Sequence, residues 1–440
     1  MRDAVAWWLS TAQFSPFGTI YIAASKSVDV SEQQSRRVIA LVSGSHVINH
    51  AYLVILAPLV TVLATEFNVS VGAIGLAIGT QGAVVALLQI PFGELSDRRG
   101  RYFVLKICLI VGAIGATLTA LAPTYWTLVA AQAVLGVGVA GHHPAHYPML
   151  AAASTEDKRG RAYSYHALGG ALGFGLPFGA VAVARILGYS WRVALLSVAI
   201  IGALYGIGCL LALRSADPRI TGPAKDVDAT TGSRMQDAIR SLKASVKSAP
   251  ILGIAILSLV TSAAAWVIRT YAPILYEQTY GLSPEVVGLF MSAMFIVEAV
   301  LILFGGVVTD RFDPIGVMIG GYLGLTVLAV SLATGSVPLA LLAIGLTFTG
   351  TITVSRPARS TLTDRLSARA DLGKNFAVVS VGISAGGAIA PPVFGWLLDV
   401  IGVQLVFGLV AVLGGVCLGM TLWLDRMTPD RHPTGAPQAE

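Results

Sequence analysis

Charged residues and cysteines are both scarce in this sequence of 440 residues. Only 12% of the residues are charged and 55% are hydrophobic, whereas about 25% of a soluble protein is charged. So much apolar surface cannot be hidden in one soluble core, so most of it must face lipid. Cys108, Cys209 and Cys417 lie far apart within apolar stretches, which excludes a paired disulfide framework and a cysteine metal site. We expect them to be small buried core residues.

Several functional motifs are also missing. No phosphate-binding glycine loop occurs at a strand–helix junction, so ATP-driven activity of this chain is not expected. No nucleophile–base pair stands out, and we predict that the protein is not an enzyme and needs no cofactor. The net charge of +6 comes from basic residues in short loops beside apolar segments, where orientation signals lie, so it does not indicate nucleic-acid binding.

Twelve segments are long and apolar enough to cross a bilayer as helices, which takes about 20 residues each. They are too long for barrel strands, and only helices or closed barrels satisfy their backbone in lipid. The 48 glycines fit membrane helices, where small residues allow close packing. The predicted spans are residues 39–64, 72–95, 102–121, 125–150, 162–186, 192–213, 250–276, 284–308, 314–333, 337–361, 375–399 and 402–424.

The spans predict an all-α membrane protein built from two six-helix bundles, at 38–213 and 250–425. A central loop at 214–249, whose residues 233–247 have the composition of an interfacial amphipathic helix, joins them. An N-terminal arm at 1–37 and a tail at 426–440 complete the chain.

Basic residues predict the orientation of these spans. One side carries most of them, including Arg98 and Lys158, whereas the opposite side has little beyond Arg185 and Arg192. Because basic loops stay inside, both termini are expected in the cytoplasm, and the chain in a bacterial-type inner membrane.

Two unlike motifs recur at one spacing. Residues 93–101 are Gly-Glu-Leu-Ser-Asp-Arg-Arg-Gly-Arg, and a shorter copy, Gly-Val-Val-Thr-Asp-Arg, occupies 306–311 with its aspartate 213 residues later. The same 213 residues separate His-Pro-Ala-His at 143–146 from Arg-Pro-Ala-Arg at 356–359. This common register indicates an internal duplication, and hence two pseudo-symmetric bundles with a binding site between them.

The repeated loop resembles the signature of the major facilitator superfamily, G-x-x-x-D-R-x-G-R, and the resemblance covers the chain from about residue 38 to 425. A closer resemblance is to the fosmidomycin-resistance branch, on residues 45–50, the His143-Pro144 pair and Arg269. His50 stands where that branch has an aspartate. The resemblance implies twelve helices, secondary transport by alternating access, and a cavity lined by the first, fourth, seventh and tenth spans.

The resemblance also implies that the repeated loops form a latch that stabilises one access state, with Gly93 permitting close helix approach. The alternative is that their charges act only as orientation signals. The candidate latch residues are Gly93, Asp97, Arg98, Arg101, Asp310 and Arg311.

Four histidines on the first and fourth spans form a candidate proton-coupling site. His46 and His50 are four residues apart and His143 and His146 three apart, so each pair shares a helix face, at similar depth. Three interpretations remain: proton or substrate handling, hydrogen bonding between helices, and a metal site. Proton or substrate handling is favoured, because no nearby cysteine or histidine-rich loop supports a metal.

Arginines on cavity-lining spans indicate an anionic substrate, because guanidinium binds carboxylate and phosphate through two parallel hydrogen bonds. Arg269, Arg356 and Arg359 are the candidates, although Arg359 lies close enough to the cytoplasmic end to reach water by itself. Asn49 and Tyr147 are included in the candidate substrate site.

Glu298 is the single acidic residue in the middle of a predicted span. It is either the ion-pair partner of Arg269 or a proton carrier, and the two roles are compatible if protonation breaks the pair. Of the remaining histidines, His166 is expected to be a packing residue and His432, in the tail, to be inert.

Together these features predict a proton-coupled secondary transporter of a small, anionic organic solute or drug, acting as a monomer with the proton gradient as driving force. Export is favoured by the resemblance. Proton symport is the alternative, because Leu176 before Pro177 leaves the glycine–proline motif of drug antiporters incomplete. An alternative of another class is a transporter-like membrane sensor or scaffold.

Overall fold

The computed structural model describes residues 31–223, 248–338, 349–367 and 372–427. The described chain is built from α-helices. The first half contains α1 (Glu32–Leu53), a 3-10 turn (Ala57–Leu59), α2 (Val60–Glu66), α3 (Val71–Arg99), α4 (Arg101–Leu121), α5 (Tyr125–Ala140), α6 (His142–Ala152), α7 (Glu156–Ile186), α8 (Trp191–Leu213) and the short α9 (Pro218–Thr221). The second half contains α10 (Ala249–Tyr280), α11 (Pro284–Arg311), α12 (Pro314–Thr334), α13 (Thr349–Arg365), α14 (Leu372–Ile401) and α15 (Val403–Met427).

Ten helices in the described ranges are long and apolar enough to cross a membrane. This confirms an all-α membrane architecture, while the number twelve stays a prediction. The tenth predicted span, 337–361, lies partly outside the described residues, as do the predicted amphipathic helix at 233–247 and His432.

The first helix begins at Glu32, seven residues before the predicted start of the first span. The Ser31 hydroxyl accepts a hydrogen bond from the backbone N–H of Gln34 at 3.3 Å, and Arg36 pairs with Glu32 one turn earlier. Capping satisfies a donor that the first helical turn would otherwise leave unpaired, so the helix extends beyond its apolar segment.

The fourth predicted span, 125–150, is broken into two helices at Gly141. Pro144 explains the break, because a proline ring within a helix clashes with the carbonyl four residues earlier, here that of Ala140. Ala140 is the last residue of α5, and Pro144 lies in the first turn of α6, where proline is tolerated. The break therefore starts a new helix at the histidine-rich segment.

The two halves pack against each other mainly through α3 with α14 and α7 with α11. Gly75 on α3 allows one close approach, because a Cβ there would overlap the carbonyl of Pro391 and lie 2.6 Å from the Tyr271 hydroxyl. The Tyr271 hydroxyl itself donates a hydrogen bond to that Pro391 carbonyl.

The contacts that close this interface lie at one end of the molecule. The Asp399 carboxylate accepts hydrogen bonds from the backbone N–H groups of Val71 (3.0 Å) and Gly72 (2.7 Å), at the N-terminus of α3. Arg185 pairs with Glu285 across the same interface at 2.8 Å. We call this the closed end.

The other end carries the repeated loop of the first half, and we call it the basic end. A Cβ added to Gly93 there would meet no atom of the described residues within 4 Å. Among the described residues Gly93 therefore has no close helix neighbour, and its latch role stays a prediction.

Candidate functional site

Six histidines from three helices come together inside the first bundle: His46 and His50 from α1, His142, His143 and His146 from α6, and His166 from α7. We call them the histidine cluster. Four members are buried, whereas His50 and His143 are half-buried and so border a more open region.

His46 lies at the centre of the cluster. Its ring stacks on that of His166, with centroids 3.7 Å apart and planes inclined by 9°. The His50 ring lies 4.1 Å from it and the His143 ring 5.1 Å. The prediction that the pairs on the first and fourth spans lie at similar depth is confirmed. His166, expected to be a packing residue, is buried and packs its ring directly on His46.

Backbone carbonyls fix the orientation of His46 and His50. His46 Nδ1 lies 2.7 Å from the carbonyl oxygen of His166, and His50 Nδ1 lies 2.9 Å from that of Gly170. A carbonyl can only accept, so each Nδ1 carries the hydrogen. In the neutral rings, each Nε2 therefore presents a lone pair.

A second hydrogen-bond chain runs through the buried side of the cluster. The Ser45 hydroxyl donates to the carbonyl of Val42 at 2.9 Å, so it accepts from His146 Nε2 at 2.8 Å. His146 Nδ1 then accepts from His166 Nε2 at 3.0 Å. Both ring nitrogens of His146 are thus occupied, and His142 Nδ1 also approaches its Nε2, at 3.4 Å.

Glycine on α7 makes room for the two α1 rings. A Cβ at Gly170 would lie 2.7 Å from Cε1 of His46 and 2.8 Å from Nδ1 of His50. Such distances are too short for real contacts, so the rings sit against α7 only because Gly170 has no side chain. The glycine-rich run of the fifth span thereby shapes the cluster.

The second bundle contributes a buried ion pair. Arg269 Nη2 lies 3.2 Å from Glu298 Oε1, and the side chains are 9% and 4% exposed. Of the two roles considered for Glu298, the pairing with Arg269 is confirmed. A buried guanidinium with a carboxylate partner is far less costly than an isolated charge at this depth.

Phe174 joins the ion pair to the histidine cluster. The guanidinium of Arg269 lies over its ring at 4.4 Å from the centroid, a cation–π contact, and the His50 ring lies 4.3 Å from the same ring. Phe174 belongs to α7 and Arg269 to α10, so this contact spans the two bundles. Nothing in the sequence pattern pointed to Phe174.

The other predicted substrate residues fall in different places. Tyr147 stacks on His143, with centroids 5.6 Å apart, so it belongs beside the cluster. Asn49 is buried, and its Oδ1 has no hydrogen-bond partner among the described residues.

Arg359 is buried next to Tyr322 and Cys417 within the core of the second bundle. The side chain of Arg356 lies outside the described residues, and its substrate role stays a prediction.

The predicted latch residues have mixed surroundings. Arg98 pairs with Glu94 at 2.6 Å within the same helix. Arg101 donates hydrogen bonds to the carbonyls of Arg219 and Ile220, at 2.9 and 3.1 Å, and so holds the chain that leaves the first bundle.

The remaining latch residues leave that role a prediction. Asp97 is half-buried and has interaction partners. Arg311 is exposed, and the side chain of Asp310 lies outside the described residues.

Sequence reasoning missed four contributors to the site: Ser45, His142, His166 and Phe174. A signal for two of them existed, because six of the seven histidines lie between residues 46 and 166. The break at Gly141, which redirects the chain at His142, was also implied by Pro144.

The family model described as Major Facilitator Superfamily matches residues 42–252 and 254–440. The inner membrane transport protein YajR of Escherichia coli K12 is 35% identical over 115 residues, 26% of this chain and 23% of that protein.

Two further relatives carry names that refer to a drug or a sugar. The quinolone resistance protein NorB of Staphylococcus aureus RF122 is 27% identical over 137 residues, 31% of this chain and 30% of that protein. A probable sugar efflux transporter of Pasteurella multocida Pm70 is 29% identical over 187 residues, 41% and 43% of the two. In all three cases the chain matches less than half of the relative's length.

Solved structures share the fold over nearly the whole chain. A bacterial homologue of the human lysosomal transporter Spinster has a TM-score of 0.74 at 13% identity, covering 92% of this chain and 100% of that one. The nucleoside transporter NupG has a TM-score of 0.73 at 15% identity, covering 89% and 99%. Identities this low show the common fold alone.

Proposed function

Because the chain belongs to the Major Facilitator Superfamily, we propose that it is a proton-coupled secondary transporter of a small organic anion. The fold and the relatives support transport of a small molecule across a membrane by a protein that is not an enzyme. Proton coupling and the anionic substrate rest on the site itself.

One observation carries this proposal: the buried Arg269–Glu298 pair, connected through Phe174 to the histidine cluster. It places a cation with a titratable partner where the two bundles meet. Arg269 is suited to a carboxylate, phosphate or phosphonate, which it binds bidentately. The substrate anion would take the place that Glu298 now holds.

The pair provides a physical route for coupling. While Glu298 is ionised, it competes with a substrate anion for Arg269. When Glu298 is protonated, its negative charge is lost and Arg269 is free to bind the anion. By reciprocity, a bound anion raises the proton affinity of Glu298 by the same factor. The linkage favours movement of proton and anion in the same direction, which is proton–anion symport.

Export is the second candidate. The names of two relatives, a quinolone resistance protein and a probable sugar efflux transporter, favour it. An exporter driven by proton antiport needs competition between proton and solute. The geometry of Arg269 and Glu298 supports competition only with a cationic solute, which would bind Glu298 in place of the arginine.

The histidine cluster has a supporting role in this scheme. His50 is half-buried beside Phe174, so protonation of its Nε2 would add positive charge near the anion site. A proton held on His50 or His143 would therefore also travel with an anion.

The test is pH-gradient-driven flux in proteoliposomes, with phosphonates, carboxylates and cationic dyes as solutes. We expect an anion to accumulate against its gradient, and Arg269→Gln to abolish this. Because removal of one partner leaves a buried charge, at a cost of about 3–5 kcal/mol, the neutral double variant Arg269→Gln/Glu298→Gln is measured beside it. Arg36→Gln is the control, since it breaks an Arg–Glu pair whose side chains are 78% and 64% exposed.

The outcomes separate the alternatives. Dye transport without anion transport would overturn the anionic substrate and favour antiport. Anion flux retained in the double variant would remove Arg269 from the substrate site. Absence of flux for every solute class, with Arg36→Gln and the unmodified chain both monodisperse, would favour the sensor or scaffold.

A further inference from the structure

His46, His50 and His143 differ from the other histidines of the cluster, because their ring nitrogens converge on one point. The coordinating nitrogens of His46, His50 and His143 all lie within 4.8 Å of one another. His46 Nε2 and His143 Nε2 are 3.1 Å apart. The ring nitrogens of His146, by contrast, are already engaged by Ser45 and His166, so that residue belongs to the hydrogen-bonded wall behind the three.

The outer contacts of this trio match those of metal-binding histidines. Such a histidine nearly always donates its second ring N–H to a carbonyl or carboxylate, which fixes the tautomer and the ring orientation. His46 and His50 do this through Nδ1, to the carbonyls of His166 and Gly170. Their Nε2 lone pairs are thereby directed away from the backbone, and that of His46 points at His143 Nε2.

The spacing also fits a metal ion. Zinc binds imidazole nitrogen at about 2.0–2.1 Å, so the ligands of a tetrahedral ion lie roughly 3.3–3.4 Å from one another. The His46–His143 separation of 3.1 Å is already close to this value. The ring nitrogen of His50 lies within 4.8 Å of the other two, so it needs a shift of about 1.5 Å at most to reach tetrahedral spacing.

We propose that His46, His50 and His143 form a binding site for one divalent transition-metal ion of the zinc class. Neutral imidazole is the ligand type that such ions prefer. With three protein ligands the fourth position stays open, as in sites that exchange a ligand, whereas structural zinc sites are closed by four. His143 is hydrogen-bonded to His46 through Nε2 and needs only its other tautomer to coordinate.

Charge specifies the fourth ligand. The three imidazoles are neutral, so the bound ion keeps a charge of +2 in a partly buried site. Arg269, the nearest charged group across Phe174, is neutralised by Glu298. An anionic group is therefore the favoured fourth ligand, and a carboxylate, phosphate or phosphonate fits both this position and Arg269.

The first experiment measures zinc binding to the purified full chain, without an affinity tag, by calorimetry. We expect one ion per chain. Co²⁺ substituted at the site should give the visible absorption of tetrahedral coordination. His46→Asn, His50→Asn and His143→Asn should each weaken binding by more than the roughly 10–100-fold that loss of an outer partner costs at metal sites.

His142→Asn is the matched control, because it removes an imidazole of the same cluster whose ring contacts His146 and not the trio. It should bind zinc like the unmodified chain. The proposal is overturned if no zinc binds, or if the three trio variants bind it as tightly as His142→Asn. Each variant is checked for monodispersity, so that loss of the fold is not mistaken for loss of zinc binding.

This site does not depend on the proposed function. Zinc binding is an equilibrium measurement in detergent, so it succeeds or fails whether or not the protein transports an anion. If zinc binds, an added carboxylate or phosphonate should change the Co²⁺ spectrum by entering the open position. An unchanged spectrum would overturn the assignment of that position to an anion.

Discussion

At the scale of single residues, the proposed function depends on a few polar groups in an apolar molecule. Sequence reasoning found most of them, because a charge or histidine in an apolar span is conspicuous. It did not find how they are connected. Phe174 carries no polar group, yet its ring contacts both His50 and Arg269.

In the proposed mechanism, coupling depends on the carboxyl group of Glu298. Glu298→Gln imitates the protonated state at every pH, so Arg269 should be free to bind the anion permanently. We predict that exchange of labelled for unlabelled anion persists, while accumulation driven by a pH gradient is lost. Both rates are measured in the same proteoliposomes.

Loss of exchange together with accumulation in Glu298→Gln would show that the carboxylate is needed for binding itself. Retained accumulation would show that another group carries the proton, and the half-buried His50 and His143 would be next.

The absence of a side chain at Gly170 should be important for the stability of the protein. Gly170→Ala would drive a methyl group against His46 and His50. We expect a loss of stability of about 1–3 kcal/mol, typical of an overpacked interior, and a lower thermal midpoint. Gly208→Ala on α8 is the control, since a Cβ there meets no atom of the described ranges within 4 Å and should be neutral or slightly stabilising.

A Gly170→Ala variant as stable as Gly208→Ala would mean that α1 and α7 are not packed closely at the histidines. The tautomers of His46 and His50 would then lose their structural basis.

At the scale of helices, hydropathy predicted where apolar segments lie, and capping and proline decided where helices begin and break. Ser31 extends α1 beyond its apolar part, and Pro144 divides the fourth predicted span. Both effects are local and can be predicted from the sequence, but an average of hydropathy over a window does not detect them. The packing of Gly170 against the rings, in contrast, depends on how α1 and α7 meet, which no periodicity specifies.

The N-terminus of α3 is held by a residue from the other bundle. Asp399 accepts hydrogen bonds from Val71 and Gly72, and its charge is favourable next to the positive end of the helix. Asp399→Asn should weaken this contact by about 0.3–2 kcal/mol. The population should then shift towards states in which the bundles separate at the closed end. Distance distributions between spin labels on α3 and α14 would measure the shift.

Asp313→Asn is the control for Asp399→Asn, because Asp313 also caps a helix N-terminus, that of α12, but within its own bundle. Equal distance distributions in both variants and in the unmodified chain would contradict a role of Asp399 in holding the bundles together.

At the scale of the whole molecule, the duplicated sequence predicted two bundles with a site between them. The shared fold and family agree with the helical transporter fold, while the site between the bundles stays a prediction. The contacts at Asp399 and at Arg185–Glu285 describe one state of the interface, closed at one end. If the basic end faces the cytoplasm, as the basic residues predict, the contacts at Asp399 and Arg185–Glu285 close the opposite, outer side. Alternating access then requires these contacts to break as the bundles rock.

The central claim is that proton and anion move together. The most direct test measures whether an anion gradient drives proton movement. The anion selected in the flux screen is added outside proteoliposomes, with no initial pH difference across the membrane. A dye inside the vesicles reports the pH of the lumen. We predict that the lumen acidifies as the anion enters, and that Glu298→Gln abolishes the acidification. A lumen that becomes alkaline would establish antiport, and an unchanged pH would show that transport is not coupled to protons; either result would contradict the account.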